Sequence, residues 1–320
     1  MTEQIDIVSD DVRNKLFRFA QQDEAAAERV GYSNYSYWKS TWTVFIQNKL
    51  AKFFLALLCF LLIFTFVQPL LPGQRSPLKI YNNEAGRQLR NMKPNAEYWF
   101  GTNSIGQDLW ARIWSGTRTS MLIGLAVGLW DAIFGVIVGS LWGYVRRFDP
   151  LITGFYNVVA NIPNTIIMIL VAYILRPGIG AIIFAMCITG WLPTSRYVRN
   201  QVIIIRDREF NLASRCLGTP TGRVIAKNLL PQLVSVIMMR MALAIPIAIG
   251  QEVFLTYIGL GLPISIPSLG NLVNEGRIVM MSPALRYQLI FPALVLSMIT
   301  VSFYVIGNAF ADASDPRNHL

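Results

Sequence analysis

The chain has 320 residues, of which 53% are hydrophobic and only 14% charged, with a formal net charge of +10. A soluble domain carries about a quarter charged residues, so this composition excludes an ordinary soluble enzyme and fits a chain solvated largely by lipid. The Lys and Arg residues gather at the ends of apolar runs and interleave with no nucleic-acid-binding module, which points to membrane orientation and away from nucleic acid.

In chain order, the first thirty residues are polar and mixed in charge. Tyr32, Tyr35, Tyr37, Trp38 and Trp42 then precede Lys49 and Lys52. Aromatics flanked by lysines favour the membrane interface, so residues 1–50 are read as a cytoplasmic tail followed by an interfacial elbow helix. No secretory signal pattern precedes the first apolar run. Six spans are predicted within a transmembrane domain over 51–320. They cover Phe53–Leu71, Ser120–Val145, Leu151–Leu175 with a kink at Pro163, Ile179 to about Ile205, Leu229–Ile258 broken at Pro246, and Gln288–Phe310. Placing both termini in the cytoplasm puts most Lys and Arg inside, although the outer segment 72–119 is itself basic. A second outer segment, Leu260–Tyr287, is rich in Gly and Pro and reads as a re-entrant or capping element.

The chemistry is sparse. Cys59, Cys187 and Cys216 lie far apart and imply neither a disulfide framework nor a metal site. The single histidine is His319, and no GxxxxGK[ST] loop occurs, so neither histidine catalysis nor a P-loop is expected. No catalytic residue, metal or bound cofactor is predicted. Asp131, Arg240 and Glu252 fall inside predicted spans, where charges are costly and face a cavity or a partner. They are candidates for a translocation pathway, with Glu252 also near an outer gate; pairing among themselves or with another subunit, purely for assembly, is the reading preferred over it. Trp130, Trp142 and Trp191 are read as anchors or packing groups rather than a ligand cage.

The loop 206–228 breaks the apolar pattern with Gly218, Pro220 and Gly222, and Pro231 follows. A short helix ending near Gly218 is marginal alone and needs a surface to pack on, lipid headgroups or a partner protein, and the residues alone fit a merely structural loop as well. An integral membrane enzyme would need converging His, Cys, Asp or Glu, whereas the predicted spans carry only isolated carboxylates. A channel or secondary transporter would use the broken helix but leaves this loop unexplained.

Ala213-Ser214, Gly218 and Leu229-Leu230-Pro231 are spaced as in the EAA loop of ABC importer permeases, which this segment resembles. Leu212 stands where that family has glutamate, and Ser214 where it has its second alanine. Trp99–Met121 resembles the signature of the second permease of oligopeptide and dipeptide importers, and Ala311–Arg317 resembles that family's C-terminal motif. The similarity reaches from about Tyr37 to the end, and within the family it leans to the Opp/Ami oligopeptide permeases of lactic-acid bacteria and streptococci.

The resemblance implies an all-α, six-span type I importer permease with a cytoplasmic coupling helix, in a bacterial plasma membrane. It implies partners: a homologous second permease, two ATPase subunits holding ATP and Mg, an extracellular peptide-binding lipoprotein, and oligopeptide substrate. Arg208, Glu209, Asn211, Leu212, Ala213, Ser214, Arg215, Gly218, Thr219 and Pro220 would dock on an ATPase. Phe100, Gly101, Thr102, Gly106 and Asp108 would serve an outer gate or binding-protein contact. A dipeptide or nickel permease is the nearest alternative.

Overall fold

The computed structural model describes residues 37–175 and 178–314. Tyr32, Tyr35, Arg176, Arg317, His319 and the last residues of the C-terminal motif lie outside them. The chain divides into two units, Met1–Ser40 and Thr41–Leu320. Apart from the first turn of helix α1 (Tyr37–Gln47), everything below belongs to the second.

Regular structure among the described residues is helical, with only two isolated β-bridges. Helix α1 breaks at Asn48, whose Oδ1 accepts from the Leu50 and Ala51 amides and caps α2 (Lys49–Val67). Phe45 is buried with Ala51, Ala309 and Ala313, while Trp42 is half exposed. Helix α3 (Leu109–Tyr144) starts well before Ser120, because Asp108 caps it and its first turns bury Arg112 and Trp114.

The third predicted span is two helices, α4 (Asp149–Ala160) and α5 (Asn164–Ile174), bent by 77°. This is far more than a kink, and Pro163, which lacks an N–H and restricts Ile162, sits at the break. Helix α6 (Ile179–Arg206) continues through Pro193. Next come α7 (Glu209–Cys216), α8 (Thr221–Val224), a π-turn over Ile225–Leu229 and a 3-10 turn over Leu230–Leu233. Helix α9 (Val234–Tyr257) runs through Pro246 without ending there, so the irregular stretch falls before the span rather than in its middle. Helices α10 (Leu269–Val279) and α11 (Tyr287–Ser314) complete the chain. Among the described residues, five helices are long and apolar enough to cross a membrane, and the bent α4–α5 pair makes a sixth crossing if it is one span. Helix α10 is too short to cross.

Small residues set the packing. Gly135, Gly139 and Gly143 form a stripe on α3 against α6; a Cβ at Gly135 would lie 2.6 Å from Thr194, and one at Gly143 2.8 Å from the Arg199 carbonyl. Backbone approach of this kind drives helix association where the apolar effect between helices is weak. Outward faces carry Phe60, Ile63, Phe66, Ile137 and Leu294, all more than half exposed in this chain alone. A lipid solvent accounts for that pattern.

The segment 71–108 holds two similar loops. Asn83 and Asn103 each accept from the amide four residues on, Arg87 and Gln107, at 2.8 Å. Gly86 and Gly106 take left-handed φ values of 73° and 83° at equivalent places. The Tyr81 amide donates to the Gly106 carbonyl at 2.9 Å and joins the two.

Candidate functional site

The loop between α6 and α9 is rooted in a core of Tyr144, Val198, Val202, Ile205, Val224, Ile225, Leu229 and Leu233. Two asparagines fix α7 on it. Asn211 is fully buried, and its Nδ2 donates to the Ile205 carbonyl at 2.9 Å. Asn228, on the π-turn, donates to Asn211 Oδ1 at 3.2 Å and to Ser214 Oγ at 3.1 Å. Ser214 Oγ in turn donates to the Phe210 carbonyl. The inner face of α7 is thus polar and satisfied, and its other face is open. Phe210, Leu212 and Leu217 are 41%, 43% and 85% exposed, and Arg208, Glu209, Ala213, Arg215 and Cys216 are exposed beside them.

Gly218 ends α7 at φ +77°, with its amide on the Arg215 carbonyl and that of Thr219 on Ser214. This left-handed stop suits glycine. Pro220 then sits ahead of α8, whose first turn it favours. At the base of the loop Asp207 faces Arg206, Arg146 and Arg215 at 3.1, 3.5 and 3.6 Å. The Arg206 hydrogen bond, with those neighbouring charges, holds the Asp207 carboxyl below its usual range. Arg206 also donates to the Gly143 carbonyl at 2.7 Å and ties the loop to the end of α3.

The three intramembrane charges separate. Glu252 is fully buried and accepts from Ser268 Oγ at 2.7 Å, Thr256 Oγ1 at 3.2 Å and Ser120 Oγ at 3.3 Å, and from the Gly270 amide. A carboxylate belongs at a helix N-terminus, and this one binds α3, α9 and the start of α10 together. A Cβ at Gly270 would lie 2.6 Å from its Oε1. Asp131 and Arg240 instead line one cavity of about 130 Å³ with Asn164, Thr194 and Gln251. Gln251 drew no notice in the sequence because it is uncharged and next to Glu252.

Of the residues at the other end, Gly101, Thr102, Gly106 and Asp108 are buried. Thr102 Oγ1 donates to the Leu89 carbonyl and accepts from the Met92 amide, and Tyr287 Oη lies within hydrogen-bond distance of the Met92 and Thr102 carbonyls. Phe100 stacks on Phe291 at 4.1 Å. They hold the 71–108 segment onto α3 and α11, and the exposed tip between them is Ser104-Ile105. Burial raises the Asp108 carboxyl above its usual range, outweighing the Ala111 amide and Arg75. A second polar cluster, unmarked in the sequence, joins residues far apart along the chain. Arg112, wholly buried, pairs with Glu275 at 2.6 Å and contacts Gln107, while Asn103 reaches both Gln107 and Glu275. Trp142 donates to Thr153 and Trp130 stacks on Phe134, so both serve packing.

Residues 133–319 match the family described as "Binding-protein-dependent transport system inner membrane component", and residues 36–94 match "N-terminal TM domain of oligopeptide transport permease C". The chain is 38% identical over 312 residues to the oligopeptide transport system permease protein AmiD of Streptococcus pneumoniae, covering 96% of this chain and 99% of that protein. It is 35% identical to the dipeptide transport system permease protein DppC of Bacillus subtilis, covering 96% and 94%. Among solved structures, the inward-facing MetNI methionine ABC transporter matches with a TM-score of 0.51 and 18% identity, over 63% of this chain and 96% of that one. That likeness is one of fold.

Proposed function

The chain belongs to the family of inner membrane components of binding-protein-dependent transport systems, and from that premise we propose that it is one permease subunit of an ATP-driven oligopeptide importer. It is a multi-pass membrane protein and a transport component. In our reading both termini are cytoplasmic in a bacterial plasma membrane, and α7 lies on the cytoplasmic side. A homologous second permease completes the pathway, two cytoplasmic ATPase subunits hold ATP and Mg, and an extracellular peptide-binding lipoprotein delivers substrate.

The observation that carries this reading is the two-faced α7. Its inner face is fixed by Asn211 and Asn228, and its outer face offers Phe210, Leu212 and Leu217 to a partner. A rooted helix with an open face of mixed apolar and charged residues transmits a push to α6 and α9; a loop on flexible tethers does not. Leu212, in the place of the family glutamate, removes one charge from this face, while Arg208, Glu209 and Arg215 stay exposed beside it. A dipeptide substrate is the second reading, favoured by the 35% identical dipeptide permease. The test is purification of the tagged chain from membranes followed by reconstitution. Co-purifying ATPase subunits and ATP-dependent uptake of labelled oligopeptides are expected; a chain that takes up peptide with no ATPase subunit bound contradicts the proposal.

A further inference from the structure

Asp131 is more than nine-tenths buried, and its Oδ1 has no hydrogen-bond partner. It lies against the bare Cα of Gly190, where an added Cβ would come within 2.6 Å of Oδ1. Arg240 is of opposite sign and lines the same cavity, yet no ion pair joins the two among the described residues. The register of α3 on α9 brings them to one level. Gly124 faces Ile249 and Ile245, Gly128 faces Ile245 and Ala244, and the next turn of each helix carries Asp131 and Arg240. The Arg240 guanidinium rests over the Tyr197 ring at 4.1 Å, with Nε unpaired. Beside the cavity, the chain breaks by 77° between α4 and α5, and Asn164, the first residue of α5, lines it. Broken helices and unpaired charges at membrane depth mark substrate sites in other transport folds.

We propose that this cavity is a two-signed station for the charged ends of a zwitterionic ligand. The cavity, at about 130 Å³, holds one end of a peptide at a time: Asp131 accepts from the free α-ammonium group as that end passes, and Arg240 donates to the free α-carboxylate as the other passes. Separation of the two charges keeps the empty site from closing on itself, and Gly190 leaves the carboxylate room. Glu252, already saturated by three hydroxyls and an amide, takes no part. The station rests on the peptide-import reading and names what that pathway recognises.

The experiment uses the complete reconstituted transporter and three labelled forms of one oligopeptide: free-ended, N-acetylated and C-amidated. Asp131→Asn is expected to lower uptake of the free-ended and C-amidated forms about tenfold relative to wild type, the effect of losing one charge-assisted hydrogen bond. Uptake of the N-acetylated form is expected to stay at its wild-type rate. Arg240→Gln should show the converse, sparing only the C-amidated form. Equal loss for all three forms, no loss for any, or failure of Asp131→Asn to assemble with its partners overturns the station and assigns these charges to structure. A wild-type complex that takes up no peptide overturns the import reading itself.

Discussion

Asn228 donates its side-chain amide to Asn211 Oδ1 at 3.2 Å, across the turn that joins α7 to α9. That bond, shared with Ser214, makes α7 part of the body of the protein rather than a loop hung from it. A force applied to the open face of α7 therefore reaches α6 through Ile205 and α9 through the π-turn.

Removing this link should uncouple the subunit without unfolding it. Asn211→Ala leaves the Ile205 carbonyl and the Asn228 amide without their buried partner, at a cost of about 1–3 kcal/mol. Membrane insertion is expected to be retained, while ATP-dependent uptake falls at least several-fold. Normal uptake by Asn211→Ala would mean that α7 is held by other contacts.

Gly218 adopts φ +77° with open space around it, so within this chain backbone strain rather than crowding governs substitution there. Gly218→Ala should cost about 1–2 kcal/mol, and Gly218→Asn less, because asparagine tolerates the left-handed region. Gly218→Arg adds bulk on the docking side and should abolish uptake and weaken ATPase association. Uptake assays across the three variants should rank Asn above Ala above Arg.

Glu252 acts as a buried clip. Glu252→Ala strips partners from Ser120, Thr256, Ser268 and the Gly270 amide and should destabilise the protein by on the order of 3 kcal/mol. Glu252→Gln keeps the shape and most acceptors and should cost less. Thermal unfolding in detergent separates the two variants. Equal unfolding temperatures for wild type and Glu252→Ala would refute the clip.

Asp108 gives a pH signature. Its carboxyl titrates above the usual range in the folded chain because burial disfavours the charge. Its contribution to stability is therefore fully present below the unfolded pKa and is lost as pH rises through the folded value. Asp108→Asn keeps the helix cap, since asparagine caps as well as aspartate, and should remove that part of the pH dependence. Asp108→Ala loses the cap as well, costing about 1 kcal/mol. Stability measured against pH for the three proteins decides the matter.

Much of the fold was legible because lipid imposes a simple rule: a long uncharged apolar run crosses. The runs at Phe53, Ile179 and Gln288 obeyed it to within a few residues. Helix α3 did not, because its first turns bury Arg112 against Glu275, a pairing between residues 163 positions apart. The hydroxyls around Glu252 come from Ser120 and Ser268 on other elements, so the sequence showed a costly charge and not its solution. The two Asn-x-x-Gly loops were present in the sequence as a short repeat, but only their shared hydrogen bonds give it meaning. In the loop, the glycine stop at 218 could be read directly, whereas the role of Asn228 required its side chain to be placed against Asn211.

The most direct test of ATPase docking uses a thiol the chain already carries. Cys216 is exposed on α7, whereas Cys187 is buried and Cys59 lies on the apolar face of α2. In inside-out vesicles, a membrane-impermeant maleimide should label Cys216 rapidly when the ATPase subunits have been stripped away, and slowly when they are rebound. Equal labelling rates in the two preparations, or labelling only in right-side-out vesicles, would contradict the account.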